Sequence, residues 1–220
     1  MPDCPRPASA AENPYDRLPD DKRAPLLAAA MREFSANGYS QASLNRIIGA
    51  VGMSKSSFYH FFSNKADLFC HTFSQALEPV LNVAQTLEVQ ALGRETFWPV
   101  LAQVAEQLAQ VVDDQPDVMA AGRMFYRAWE DPEGRAIAQE LLGQLAEWLR
   151  AALRHGQALG VLRDDLPESL TLDLVLGAGM AMDRWVLANW DDLDEAERAR
   201  LPATGLDLMR RILEPPATTH

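Results

Sequence analysis

An all-α fold is predicted by three features of the 220-residue chain. Apolar residues recur at helical spacing along it, nothing from Asn64 onward reads as strand, and residues 43–68 hold two short helix patterns around a glycine-containing turn. Leu44, Ile47, Ile48 and Val51 stripe one face of the first short helix, with Ser43 placed before them as N-cap. Gly52 gives the backbone freedom for a sharp turn. Ser54 then caps a second helix whose apolar anchors are Phe58 and Phe62. The spacing is that of a helix-turn-helix.

Once Phe58 and Phe62 are assigned to the core, Lys55, Ser56, Ser57, Tyr59 and His60 remain on the second helix. In helix-turn-helix proteins the N-terminal residues of the second helix reach base edges, and free N–H groups at a helix start attract phosphate. Lys55 is therefore the candidate base contact, since an ammonium donates to the guanine O6/N7 edge. Ser54, Ser57 and Tyr59 are read as phosphate donors that set register. Lys65, just after the candidate cap Asn64, is expected to neutralise a further phosphate. Ser43, Asn45 and Arg46 at the start of the first helix complete the DNA-binding set.

Residues Arg23 to Phe69, RAPLLAAAMREFSANGYSQASLNRIIGAVGMSKSSFYHFFSNKADLF, resemble without a gap the N-terminal DNA-binding domain of the TetR family of transcriptional regulators. Ala29, Ala30, Phe34, Gly38, Tyr39, Ser43, Ile47, Gly52, Ser54, Lys55, Tyr59, Phe62, Lys65 and Leu68 carry the resemblance. It implies a three-helix head, a larger all-helical body that binds a small ligand, and a homodimer that releases or repositions its heads when the ligand enters. Departures bear on the grip. Phe61 stands where the family often has histidine or tyrosine, so one phosphate bond is lost, and Arg46 stands where an acid is common, which would add positive charge near the DNA backbone. Ala42 and Ile48 are also unusual at their positions.

The net charge of −11 is unevenly spread. Residues 22–70 carry +4, residues 1–21 carry −3 and residues 71–220 carry −12. An acidic body is repelled by phosphate and orients the molecule head-first; the alternative is that it only aids solubility. The 48% hydrophobic content suits a chain that buries a core.

Four segments are expected: an unstructured 1–20 with Pro2, Pro5, Pro7, Pro14 and Pro19, a helix-turn-helix domain over 21–69, a ligand-binding and dimerisation domain over 70–214, and an unstructured tail over 215–220. Neither a signal segment nor a run of about 20 apolar residues is present, so a cytoplasmic protein without membrane contact is expected. Cys4 and Cys70 are too few for a disulfide framework, and Cys70 reads as a small apolar residue within a helix. Helices are expected near 64–90, 94–113, 117–129, 134–159, 167–189 and 194–213, with Pro79 and Pro99 bending or restarting theirs.

The last two helices form the expected dimer surface. Gly177, Gly179 and neighbouring alanines leave room for a close helix, while Leu172, Val175, Leu176 and Met180 supply apolar contact. Leu208 and Ile212 belong to the helix beside it, so that two helices per subunit would form the four-helix bundle that the resemblance implies. The competing reading is that these residues close the monomer's core. For a small-molecule pocket the candidates are Trp98, Met119, Arg123, Met124, Tyr126, Trp129, Trp148, Met182 and Trp185, although a Met or aromatic stripe equally describes plain core.

No Gly-rich phosphate loop, His-Glu-x-x-His pair, Gly-x-Ser-x-Gly elbow or Cys/His cluster occurs, so catalysis, metal and cofactor are not expected. The function expected is a ligand-responsive DNA-binding regulator: a homodimeric repressor on a palindromic operator in double-stranded DNA, released by a small-molecule inducer. The alternative is an all-helical interaction protein whose basic head docks on an acidic protein partner.

Overall fold

The computed structural model describes residues 18–216, the side chains of Asp20 and Gln144 excepted. Among these residues ten α-helices and no strand occur. They are α1 (Asp20–Gln41), α2 (Leu44–Ala50), α3 (Lys55–Phe61), α4 (Lys65–Ala76), α5 (Glu78–Gln85), α6 (Phe97–Asp114), α7 (Pro116–Trp129), α8 (Pro132–Ala158), α9 (Glu168–Asn189) and α10 (Glu195–Leu213). The segment expected over 64–90, bent or restarted at Pro79, forms two helices, because Pro79 has no N–H to continue α4 and instead sits in the first turn of α5, where that N–H is not needed. Pro99 likewise falls in the first turn of α6. Prolines also open α7 and α8.

Two compact units make up the chain. The first comprises the described residues up to Glu78 together with Asp117–Leu142, and the second comprises Pro79–Pro116 and the described residues from Gly143 on. By compactness, α7 and the start of α8 therefore group with the helix-turn-helix, where the sequence divides the chain at residue 70.

The core of the first unit is aromatic. Phe34 of α1 meets Phe69 of α4 edge-on at 5.0 Å, Tyr39 meets the same ring at 5.6 Å, and Leu26, Ala29, Ala30, Ala121, Met124 and Ile137 close around them. Leu18 lies inside the segment expected to be unstructured, yet it is buried in this core and its carbonyl accepts from the Arg23 guanidinium. An apolar side chain with a place in the core holds its backbone, whatever the prolines before it. Residues 1–17 and 217–220 of the two expected unstructured segments lie outside the described residues, while Pro215 and Pro216 follow α10 as exposed non-helical chain. Cys70 is buried as expected of a small apolar residue, but it is not a free thiol.

Gly38 interrupts α1 with φ 70° and ψ 177°, a conformation close to glycine-only, and so turns the chain toward Ser43. Gly134 acts by size instead: a Cβ there would lie 2.7 Å from the Ala128 carbonyl oxygen and 2.8 Å from Tyr39 Cβ, so α8 approaches α1 only because that atom is missing.

The second unit packs α6, α9 and α10 around Phe97, Leu153, Leu162, Leu172 and Leu213. Its α10 begins with a capping box, Asp194 and Glu197 each accepting the other's backbone N–H. None of the described helices is long and apolar enough to cross a membrane.

Two glycines on α8 allow a paired test of this packing. Gly134→Ala should destabilise the protein by about 1–3 kcal/mol through overpacking, whereas Gly143→Ala, with open space around the new methyl, should stabilise it by about 0.5–1 kcal/mol through helix propensity. Urea midpoints measure both, and equal effects would deny the close approach at Tyr39.

Candidate nucleic-acid interface

The two short helices are capped as their sequence requires. Ser43 Oγ accepts the Arg46 N–H at 3.4 Å and Ser54 Oγ accepts the Ser57 N–H at 3.1 Å. Asn64 accepts from Asp67 N at 2.9 Å, and Asp67 in return accepts from Ser63 N at 2.8 Å. A serine that caps through its oxygen keeps its own hydrogen, so Ser43 and Ser54 remain able to donate to a phosphate. Gly52 makes the turn at φ 63°, and Met53 N donates back to the Ile48 carbonyl at 2.9 Å. Phe58 and Phe62, stacked at 5.3 Å, are buried and fix α3 to the core.

That anchoring leaves Asn45, Arg46, Ser54, Lys55, Ser56, Ser57, Tyr59 and His60 exposed, and Ser43 half-buried. Between α2 and α3 lies a cleft of about 220 Å³ with Leu44, Ile48 and Phe58 as apolar floor and Asn45, Lys55 and Tyr59 as rim. A polar rim over an apolar floor suits a surface that meets both base edges and thymine methyls.

The cations of the head divide into bound and unbound. Arg46 is paired with Glu33, its Nε 2.9 Å from Oε1 and 3.1 Å from Oε2, and it also donates to the Gln41 carbonyl. The extra positive charge expected from Arg46 is thus largely cancelled. Glu33 also accepts the Ser43 N–H at 2.8 Å. The hydrogen bond from Arg46 outweighs the effect of burial, and with Ser43 it holds the Glu33 carboxyl below its usual pKa. Lys22 donates to the Val51 carbonyl at 3.3 Å, at the C-terminal end of α2 where a cation is favoured. Lys65 was expected at a phosphate. It is half-buried, gives hydrogen bonds to the Ser40 and Ala42 carbonyls at 3.0 and 3.4 Å, and lies over the Tyr39 ring at 4.6 Å. Lys55 is exposed and, among the described residues, makes no hydrogen bond or ion pair, so its three donors face outward.

The expected pocket residues fall in both units. Met119 and Met124 are buried, Met124 in the core cluster that holds Phe34; Tyr126 and Trp129 pack around Phe125 at 5.1 and 5.9 Å, and Arg123 is exposed. In the second unit Trp98 lies edge-on to Phe97, with the Arg210 guanidinium 5.9 Å from its ring. Met182 occupies the space that a Cβ on Gly205 would need. Trp185 is exposed, and Trp148 borders a cleft of about 470 Å³ with Leu87 to Ala91, Ala151 and Ala152. Met119, Met124, Tyr126, Trp129, Trp98 and Met182 take part in packing within their units.

The expected dimer surface divides in the same way. Leu172 is buried in the core of the second unit, against which Val175, Leu176 and Ile212 also pack. Gly179 faces Met209 of α10, Met180 is half-buried, and only Gly177 and Leu208 stand open. Of the small residues of α9, Gly179 is turned toward α10 whereas Gly177 and Ala181 are turned away from it. The outer face of α9 is Leu170, Leu174, Gly177, Ala181 and Trp185, a stripe at i, i+4, i+7, i+11 and i+15 that is exposed throughout, and Leu145 and Trp148 of α8 are exposed apolar residues as well. The helical spacing of Leu170, Leu174 and Ala181 was the signal by which the sequence could have shown them.

Lys55→Ala should leave the thermal midpoint unchanged and lower the salt slope of DNA binding by roughly one per head. Lys65→Ala should instead lower stability by about 1–3 kcal/mol, since it strips a cation from two carbonyls. Thermal melts and salt titrations separate the two, and a Lys65 variant of normal stability with a flattened salt slope would reverse the assignment.

Comparison with known proteins agrees with this geometry. Residues 26–71 match the model of the bacterial regulatory proteins of the tetR family. The HTH-type transcriptional repressor Rv1474c of Mycobacterium tuberculosis is 29% identical over 164 residues, 73% of this chain and 81% of that one. The uncharacterized HTH-type transcriptional regulator YdgC of Bacillus subtilis is 25% identical over 158 residues, 71% of this chain and 76% of that one. In fold the chain is similar to the transcriptional regulator FadR from Bacillus subtilis, solved in complex with stearoyl-CoA, with a TM-score of 0.66, 17% identity, and 90% and 100% of the two chains covered. The helix-turn-helix segment, residues 26–71, is thus that of the tetR family of bacterial regulatory proteins.

Proposed function

We propose that the protein is a transcriptional repressor that binds a palindromic operator as a homodimer and is released by a small molecule. The observation that carries the DNA-binding part is the outward face of α3, where Lys55, three serines of the turn and helix, Tyr59 and His60 stand free of the core while Phe58 and Phe62 hold the helix down. Residues 21–69 act as the reading head and residues 70–214 as the effector and dimerisation part. The repressor sense is supported by the mycobacterial relative of that description, and a small-molecule effector by the stearoyl-CoA held in the similar fold.

Homodimerisation is assigned to the outer stripe of α9 with Leu145 and Trp148 of α8. A helix face carrying Leu170, Leu174 and Trp185 in contact with water is costly, and a twofold partner offers the same stripe in return. A dimer also presents two recognition helices to major-groove faces about 34–36 Å apart, which one head alone does not span.

Selection from randomised duplexes with the purified protein should yield a palindrome bound at least ~10³-fold more tightly than random DNA at physiological salt; a protein without preference among duplexes is not a regulator of this kind. Leu174→Arg should convert the dimer to monomer in sedimentation and weaken operator binding by at least tenfold, and an unchanged mass would move the interface off this face.

A further inference from the structure

We propose that Asp131, in the connection between α7 and α8, is a positioning residue for operator reading: its carboxylate fixes the corner between α1 and α2 on which the reading helices stand. The proposal rests on the DNA-binding reading above. Oδ2 accepts the Ser40 N–H at 2.5 Å, and Oδ1 accepts the Ser40 hydroxyl, across 91 residues of sequence. Oδ1 also accepts the N–H groups of Glu133 at 3.0 Å and Gly134 at 3.4 Å, which makes the same side chain the N-cap of α8.

Ser40 is held from a second side, for its carbonyl accepts from Lys65 at the start of α4. Every polar group of Ser40 is therefore tied to an element other than α1, and Ser40 lies three residues before Ser43, the N-cap of α2. The backbone on either side is shaped for the same contact. Gly38 takes φ +70° where the chain passes Asp131 and Arg127, and Gly134 lacks the Cβ that would strike Tyr39.

Capping alone does not require this residue. An N-cap needs one acceptor oxygen, which Asn, Ser or Thr supplies as well as Asp. Asp131 uses its second oxygen on Ser40, and a carboxylate is the group that offers acceptors in both directions. In Asp131→Asn, whichever way the amide turns, an N–H of the protein faces another donor; if the amide oxygen stays on Glu133 and Gly134, the cap survives and the Ser40 N–H is orphaned. Ser40→Ala removes the hydroxyl link and leaves the cap intact.

The test is a double-mutant cycle on the full chain, with the operator recovered by selection and a random duplex as control. Asp131→Asn and Ser40→Ala should each lower the ratio of specific to non-specific affinity by about tenfold, the double variant should be no worse than Asp131→Asn, and thermal midpoints should stay above the assay temperature. Without DNA, amides of α2 and α3 should exchange faster in Asp131→Asn while those of α10 do not. An unchanged affinity ratio, losses that simply add, or a fall in affinity that tracks the unfolded fraction would overturn the proposal. Should the wild type prefer no duplex, the regulator reading fails, and the exchange experiment still decides whether Asp131 positions α2 and α3.

Discussion

A helix of seven residues does not hold itself together in water, because the cost of nucleating it is recovered only over several further turns. Both α2 and α3 have that length. Their existence depends on burying Ile47, Ile48, Phe58 and Phe62 against the aromatic core around Phe34, Tyr39 and Phe69, with serine caps taking up the first free N–H groups. This constraint decides what is left for recognition. Residues that face away from the anchors are free of structural duty, and in α3 they are Lys55, Ser56, Ser57, Tyr59 and His60.

Basic composition and basic surface are different things in this head. Of the six cations behind the +4 of residues 22–70, Arg46 is paired with Glu33, whose charge the sum already counts, and Lys22 and Lys65 are tied to backbone carbonyls. Their charge still contributes to the field, but their donors are already engaged. Lys55, like the exposed Arg32 of α1, presents both its donors and its charge outward, and on α3 it stands among hydroxyl donors.

The polar joint at Ser40 and the aromatic core do complementary work. Ring packing is tolerant of small sliding, whereas a carboxylate with two oriented oxygens fixes direction. Burial by itself would raise the pKa of Asp131; the hydrogen bonds from Ser40, Glu133 and Gly134 outweigh it and hold the group below the ordinary carboxylate value. A carboxyl whose pKa is lower folded than unfolded contributes stability above the unfolded value and loses it as pH falls through the folded one. The joint is therefore fully formed at neutral pH and weakens only in acid.

Local chemistry made much of the protein legible in its sequence. The caps Ser43, Ser54 and Asn64, the turn at Gly52, the anchors Phe58 and Phe62, and the helix ends near Asp114, Asp131 and Gly160 all follow from neighbours within a few residues, and the pattern of residues 23–69 carried the resemblance to the family. The sequence alone did not decide which partners lie far along the chain. Lys65 on the Ser40 and Ala42 carbonyls, Arg46 on Glu33, Asp131 on Ser40, Met124 inside the core and α9 turning Gly179 rather than Leu174 to its neighbour depend on where separate helices come to rest. A side chain's spacing tells which face it shares. Only packing tells what that face meets, because the choice between core, partner and solvent is made by the surface area each helix can bury against the others.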